Sequence, residues 1–279
     1  VEIVRSPEEM MALADGWRAA GLRVGLVPTM GFLHRGHVSL MEALRGQVDR
    51  LVVSIYVNPL QFGPAEDLSR YPRDPEGDAA KCQGAGVDAI FSPEVMYPPG
   101  FCTTVRVTGL TEGLCGRSRP THFEGVTTVV ARLFGLTRCD VAIFGEKDYQ
   151  QLAVLRRMTL DLGLPVQVLG GALVRDDDGL ALSSRNVYLS AEERARALSL
   201  PAALQAMTAA AQAGEQDVAA LRALGEAQLR VDRLDYLEVV DAASLQPLER
   251  LDRPARALVA AFVGRTRLID NVALGGPWS

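Results

Sequence analysis

The sequence predicts an α/β fold, a doubly wound parallel sheet followed by a second, smaller α+β C-terminal domain. Three observations carry that expectation. Short apolar, β-branched runs alternate with helix-period segments through the first 170 residues, the pattern of strand–helix crossovers. Polar segments marked by glycine or proline follow several of these runs, where a parallel sheet places its ligand-binding loops. After about residue 172 the alternation stops, and two Ala-rich helical stretches precede strand-like runs in quick succession, as in an antiparallel sheet. A first domain over 1–171 and a second over 172–279, divided near Gly170-Gly171, are expected.

Each element has its own warrant. "EIV" reads as a strand and is followed by Ser6-Pro7-Glu8-Glu9. Ser6 suits an N-cap, Pro7 the first helical position and Glu9 the return bond of a capping box. That helix should end near Gly21. "RVGLVP" (23–28) reads as a buried strand and "GHVSLMEALRG" as a helix closed by Gly46. "RLVVSIYV" (50–57) is the next strand, and a long loop with "NPLQFGP" follows. A short helix near 75–84 leads to the strand "DAIF" (88–91). "FEGVTTVVARLFGLT" is helical in period, "DVAIFG" (140–145) a strand, "KDYQQLAVLRRMTLDLG" an amphipathic helix, and "PVQVLG" (165–170) closes the series. In the second domain, helices over about 191–213 and 216–230 precede the strands "LDYLEVVDA", "ARALVAAFVG" and "TRLIDNVAL".

Composition narrows the function. The 279 residues are 48% hydrophobic and 23% charged, with a formal net charge of -5. No global basic field favours nucleic acid or an anionic membrane as partner. The opening "VEIVRSPEEMM" lacks a signal-peptide layout, and Arg132 interrupts the apolar stretch 126–136, so the cytoplasm is expected and a bilayer span is not. Cys82, Cys102, Cys115 and Cys139 show no paired metal spacing. They read as reduced, non-catalytic thiols, mostly packing residues, and no protein metal site is expected. Lysine occurs only at Lys81 and Lys147 among 29 basic residues.

Four segments fall where ligand loops belong. In "VPTMGFLHRGHVSL" (27–40), Gly31 and Gly36 would let the backbone approach a ligand and adopt unusual dihedrals. The helix that follows aims free N–H groups at that place. His34 lies just before it and His37 in its first turn. Both can face one anion, although a strand end with two incidental imidazoles explains the pattern equally well. Zinc is the weaker rival, since no third ligand is near in sequence. In "FGEKDYQQ", Gly145 permits close approach, Lys147 offers a mobile charge, Asp148 can accept from ribose hydroxyls, and Gln151 shares the Lys147 face. "LALSSRN" joins Ser183, Ser184 and Arg185, which suit a polyphosphate, but Ser-rich loops are often only loops. In "YVNPLQFGP", Asn58 and Gln61 can orient a hydroxylated substrate; turn chemistry explains all of it except Gln61. His122 in "RPTHFEGV" opens another helix and alone would be a cap or surface residue.

Together "PTMGFLHRGHVSL", "VNPLQFGP" with "DLSRYPRD", "RPTHFEGVTTVVARLF", "IFGEKDYQQL" and "VRDDDGLALSSRNVYLS" closely resemble the pantoate–β-alanine ligase family, within the HxGH nucleotidyltransferase superfamily. The resemblance is densest over 24–190 and continues through "DYLEVVD" and "RLIDNV". It implies a Rossmann-like domain that binds ATP and pantoate over 1–171 and a C-terminal lid over 172–279. It also implies two chemical steps: pantoate's carboxylate attacks the α-phosphorus of ATP, and β-alanine then displaces AMP from pantoyl adenylate.

Carried over by position, Met30, Gly31, His34, Gly36 and His37 belong to the ATP segment, with His37 the acid candidate. Gly145, Glu146, Lys147 and Asp148 would hold ATP, Lys147 on phosphate and Asp148 on ribose. Val174 would meet adenine through its backbone, and Leu182, Ser183, Ser184 and Arg185 would close on the triphosphate. His34, His37, Lys147 and Arg185 are the implied catalytic set. Gln61 and Gln151 would hold pantoate, and Gln61 also borders β-alanine. Magnesium accompanies ATP, and a homodimer is implied. Two departures stand out: "DPEGD" has Gly77 where the family often has an acid, while Asp78 remains, and Leu182 stands where methionine is frequent. The first argues against a metal ligand in that segment; the second is conservative. Two other readings remain at this point. A nucleotidyltransferase would keep the nucleotide in its product, and a non-catalytic nucleotide-binding module would consume no ATP.

Overall fold

The apolar runs of the first part of the chain become six strands in the computed structural model, which describes residues 1–64 and 66–275. They are β1 (Glu2–Val4), β2 (Val24–Thr29), β3 (Arg50–Ile55), β4 (Ala89–Phe91), β5 (Val141–Gly145) and β6 (Gln167–Gly171). All neighbours pair in parallel, in the order β1-β4-β3-β2-β5-β6. Helices α1 (Pro7–Ala19), α2 (Arg35–Arg45), α3 (Pro75–Gly84), α5 (His122–Thr137) and α6 (Tyr149–Asp161) lie along the same stretch. The middle residues of β2 and β3 are continuously buried, as expected of strands covered on both faces. Around them pack Leu40, Met41 and Leu44 of α2 with Val27, Leu51, Val53, Ile90 and Ile143. The capping box of α1 forms as expected: Glu9 N donates to Ser6 Oγ at 3.2 Å and Ser6 N to Glu9 Oε2 at 3.2 Å.

The strand order places the site. From β2 the chain proceeds to β3 and β4 on one side, while β5 and β6 lie on the other. The carboxyl ends of β2 and β5 therefore flank the point where the winding reverses, the usual place for a ligand in such sheets. The segments leaving these two ends begin at Met30 and at Glu146.

The chain divides into two compact units. Val1–Thr111, Arg119–Glu146 and Gln151–Ala172 form the first; Glu112–Ser118, Lys147–Gln150 and Leu173–Ser279 form the second. The second unit contains α4 (Leu114–Ser118), α7 (Ala191–Ala197), α8 (Ser199–Gln212), α9 (Val218–Glu226) and an antiparallel sheet. Its strands are β7 (Arg233–Asp241), β8 (Ala255–Val263) and β9 (Thr266–Leu274), with β8 central. Leu200, Leu204, Met207 and Leu221 pack on Leu237, Val239, Val259 and Ala261.

Two helices differ from expectation. The stretch read as one helix over 191–213 breaks at Leu198, because Pro201 has no N–H to return to the Ala197 carbonyl. The next helix is shorter than 216–230, running Val218–Glu226 with Asp217 Oδ1 accepting from Ala219 N at 2.9 Å. No helix among the described residues is long and apolar enough to cross a membrane.

Candidate active site

At the end of β2, Thr29 Oγ1 donates to Ser54 O at 2.8 Å and accepts from Gly31 N at 3.2 Å, turning the chain at Met30. The turn needs left-handed backbone at Gly31 (φ 83°) and Phe32 (φ 50°). Glycine adopts that readily; phenylalanine does so only under restraint. The restraint is Asp78 of α3, whose Oδ2 accepts from Phe32 N at 2.8 Å and whose Oδ1 accepts from Leu33 N at 2.6 Å. The residue is 1% exposed. Burial pushes its carboxyl above the usual range, against the pull of those two donors and of Lys81.

The turn delivers both histidines to the start of α2. His34 caps the helix, its Nδ1 accepting from Gly36 N at 3.2 Å, and His37 Nδ1 accepts from His34 N at 3.2 Å. Their ring centroids are 4.0 Å apart. A backbone N–H can only donate, so each Nδ1 is the unprotonated acceptor and each neutral ring carries its proton on Nε2. Gly36 does not supply the unusual dihedral expected of it. It lies within α2 and contributes an N–H to His34.

Gln61 sits on a one-turn 3-10 helix, Pro59–Gln61, and is 9% exposed. Its backbone carbonyl accepts from Arg119 Nη2 at 3.3 Å and lies 3.0 Å from His122 Nδ1. A carbonyl only accepts, so that ring nitrogen carries the proton. Arg119 also forks onto Glu66 at 2.6 and 2.7 Å. Burial opposes ionisation of Glu66, but the bond and charge of Arg119 hold its carboxyl below the usual range. Gln61 Nε2 reaches Met30 Sδ at 3.2 Å, which joins this turn to the β2–α2 segment. Asn58, read from sequence as a second substrate group, is instead fully enclosed at 0% exposed and bonds to Gln61. Gly145 and Glu146 leave β5. The half-buried Gln151 makes no side-chain hydrogen bond among the described residues.

In the second unit, Lys147 is anchored through its backbone. Asn271 Nδ2 of β9 donates to Lys147 O at 2.9 Å, and Arg256 Nε holds Asn271 Oδ1 at 2.8 Å. The Arg256 guanidinium lies 4.0 Å over the Tyr149 ring, whose hydroxyl donates to Ala242 O at 2.8 Å. Lys147 Nζ is 3.6 Å from Asp148 Oδ2. Leu182 N donates to Val174 O at 3.0 Å, so Val174 and Leu182 share one hairpin. From there Ser183 caps the short turn Ser184–Tyr188, its Oγ accepting from Arg185 N at 3.3 Å. Arg175 forks onto buried Asp270 at 2.7 and 2.9 Å. Arg194 takes Asp176 and Asp178, each at 2.7 Å, so those acids serve the hairpin.

Burial pushes the Cys82 and Cys139 thiols up to about 12, which leaves them protonated and poor nucleophiles. Asp78, Asn58, Asn271 and the Arg119–Glu66 pair were not predicted from sequence as positioning groups. Most of their partners lie far along the chain, although Asn58 also bonds to Leu60 and Gln61 close by.

The comparisons agree on one family. The family model for pantoate-beta-alanine ligase matches residues 2–273. The pantothenate synthetase of Rhodospirillum rubrum is 52% identical, with 98% of each chain covered. That of Myxococcus xanthus is 55% identical, with 97% of each covered. Among solved structures, pantothenate synthetase from Thermus thermophilus has a TM-score of 0.92 at 51% identity, covering 98% of this chain and 99% of its own. Pantoate-beta-alanine ligase from Francisella tularensis, complexed with beta-gamma ATP and beta-alanine, has a TM-score of 0.81 at 28% identity, covering 98% and 97%. With the match spanning nearly its whole length, this chain belongs to the pantoate–β-alanine ligase family.

Proposed function

We propose that this chain condenses (R)-pantoate with β-alanine to pantothenate, using ATP and releasing AMP and pyrophosphate by way of pantoyl adenylate. The observation that carries this reading is the clamped turn of Met30 to His37 at the carboxyl end of β2, with both imidazoles at the start of α2. A pantoate carboxylate and a triphosphate repel each other. A site that joins them must neutralise both and hold the carboxylate in line with the α-phosphorus.

The residues divide the work. The Nε2–H groups of His34 and His37 meet phosphate oxygens at the positive end of the α2 dipole. A carboxylate oxygen of pantoate bonds to the α-phosphorus as the α–β bridge breaks and pyrophosphate leaves. His37 holds a proton at the oxygen that takes up the electrons. Lys147 and Arg185, with Ser183 and Ser184, take the triphosphate, and Asp148 takes the ribose. Gln61 and Gln151 hold pantoate by hydrogen bonds. The neutral amine of β-alanine then bonds to the acyl carbon, the bond from that carbon to the bridging oxygen breaks, AMP leaves with that oxygen, and the new amide nitrogen loses a proton. No side chain becomes acylated.

Among the described residues, no group of three or more His, Cys, Asp or Glu side chains could hold a metal ion. The family likeness supports magnesium as the companion of the ATP phosphates, where it would neutralise charge. The family likeness supports a homodimer in the cytoplasm.

The product pool tests the reading. Incubation with ATP, pantoate and β-alanine is expected to give AMP, pyrophosphate and pantothenate one for one. ADP, or a product that retains the nucleotide, would contradict it. The two glutamines give a finer expectation. Gln61→Ala or Gln151→Ala should each cost pantoate binding roughly 1–3 kcal/mol, with little change in ATP affinity by titration. Equal losses for both ligands would indicate general damage.

A further inference from the structure

The amide of Gln61 can face a ligand in either of two ways, and its surroundings choose between them. Asn58 is the key. Its Oδ1 accepts from Leu60 N at 3.3 Å and from the Tyr97 hydroxyl at 2.8 Å. Its Nδ2 donates to Gly125 O at 3.0 Å and to Gln61 Oε1 at 3.0 Å. Leu60 N–H can only donate and Gly125 O can only accept, so the two backbone groups fix which end of Asn58 is oxygen and which is nitrogen. Turning the Asn58 amide over would set donor against donor and acceptor against acceptor. Burial raises the pKa of the Tyr97 hydroxyl, which keeps it a donor.

The consequence passes to Gln61. With Oε1 committed to Asn58, its Nε2 points the other way and, among the described residues, meets only Met30 Sδ, at 3.2 Å. A thioether is a weak acceptor, so a ligand oxygen would displace it readily. The fit depends on Gly125. A Cβ there would overlap the carbonyl of Leu60 and crowd Gln61 N, so α5 rests directly on the 3-10 turn.

We propose that Asn58 is a positioning residue that fixes the polarity of the Gln61 amide, so that Gln61 meets pantoate as a hydrogen-bond donor only. The position then selects for an acceptor oxygen, a carboxylate or a hydroxyl lone pair, and disfavours an analogue that carries an ammonium there. This rests on the reading that Gln61 binds pantoate.

A double-mutant cycle tests it with Asn58→Asp, Gln61→Ala and the pair, measuring kcat and KM for pantoate and for ATP. A carboxylate at 58 still accepts from Leu60 N and Tyr97 but has no N–H for Gln61 Oε1. The Gln61 amide then turns its nitrogen inward and presents oxygen. Asn58→Asp is expected to raise the pantoate KM by about tenfold or more, with the ATP KM within about twofold. In the Gln61→Ala background the same substitution should change the pantoate KM by less than about twofold. A similar rise in both backgrounds, or an equal rise in the ATP KM, overturns the inference. A pantoate KM unchanged by Gln61→Ala alone removes the underlying assignment of Gln61, a distinct result. Should Asn58→Asp fail to fold, NMR of the parent protein decides. On adding pantoate the Gln61 side-chain NH2 signals should move while those of Asn58 stay and exchange slowly. The reverse pattern overturns the proposal.

Discussion

Lys147→Arg is expected to give a folded protein that binds ATP within about tenfold of the parent, roughly 1.4 kcal/mol, yet loses about a hundredfold or more in adenylation. Arginine supplies nearly all other positive charge in this chain, so a bias toward arginine does not explain a lysine in "GEKD". An ammonium is a compact charge on a flexible stem and can follow phosphate oxygens as the leaving bond breaks; a guanidinium sets its donors in a fixed planar fork. The backbone cannot absorb the difference. Asn271 holds Lys147 O at 2.9 Å and is itself held by Arg256, so a longer head group pushes on the triphosphate instead. Misplacement by about 1 Å near the reacting atoms costs on the order of a hundredfold. Single-turnover formation of pantoyl adenylate measures the effect. A rate close to the parent's would show that charge alone matters at this position.

Asp78→Asn should lower stability by about 2 kcal/mol and slow adenylation by about tenfold or more, because it breaks the clamp on the histidine turn. Two backbone N–H groups need two acceptors, and the native carboxylate supplies one to each, at 2.8 and 2.6 Å. An amide has one oxygen, and its NH2 would oppose the other donor in a site where Asp78 is 1% exposed. Phe32, at φ 50°, would then lose the bond that holds it in an unfavourable region. Urea unfolding and single-turnover adenylation read the two effects separately. A variant with parental stability and rate would show that the turn keeps its shape without the clamp.

These two sites mark where the sequence was legible and where it was not. The strands were readable because β2 and β3 are buried on both faces and need unbroken apolar runs. The Ser6–Glu9 capping box was readable because all its parts lie within one turn of helix. The break at Leu198 was missed although Pro201 marks it, since the surrounding alanines favour helix throughout. The His34–His37 pair was visible as an opening of α2, but its tautomers follow from bonds that only the folded turn reveals. The groups that position the site were hidden for a different reason. Asp78 acts on a backbone 46 residues away, and Asn58 on one 67 residues away. Both of these partners are backbone groups, which no pairing of residue types announces, although Asn58 also meets the Gln61 side chain three residues on. Asn58 in "NPL" looks like turn chemistry, and it is that as well, since its Oδ1 caps Leu60 N.

The central claim is a stepwise ligase that makes pantoyl adenylate before any amine is present. Isotope exchange between pyrophosphate and ATP tests it most directly, with each substrate omitted in turn. Exchange is expected with pantoate and magnesium and without β-alanine, and it should vanish when pantoate is left out. Exchange that requires β-alanine, or that proceeds without pantoate, would contradict the account.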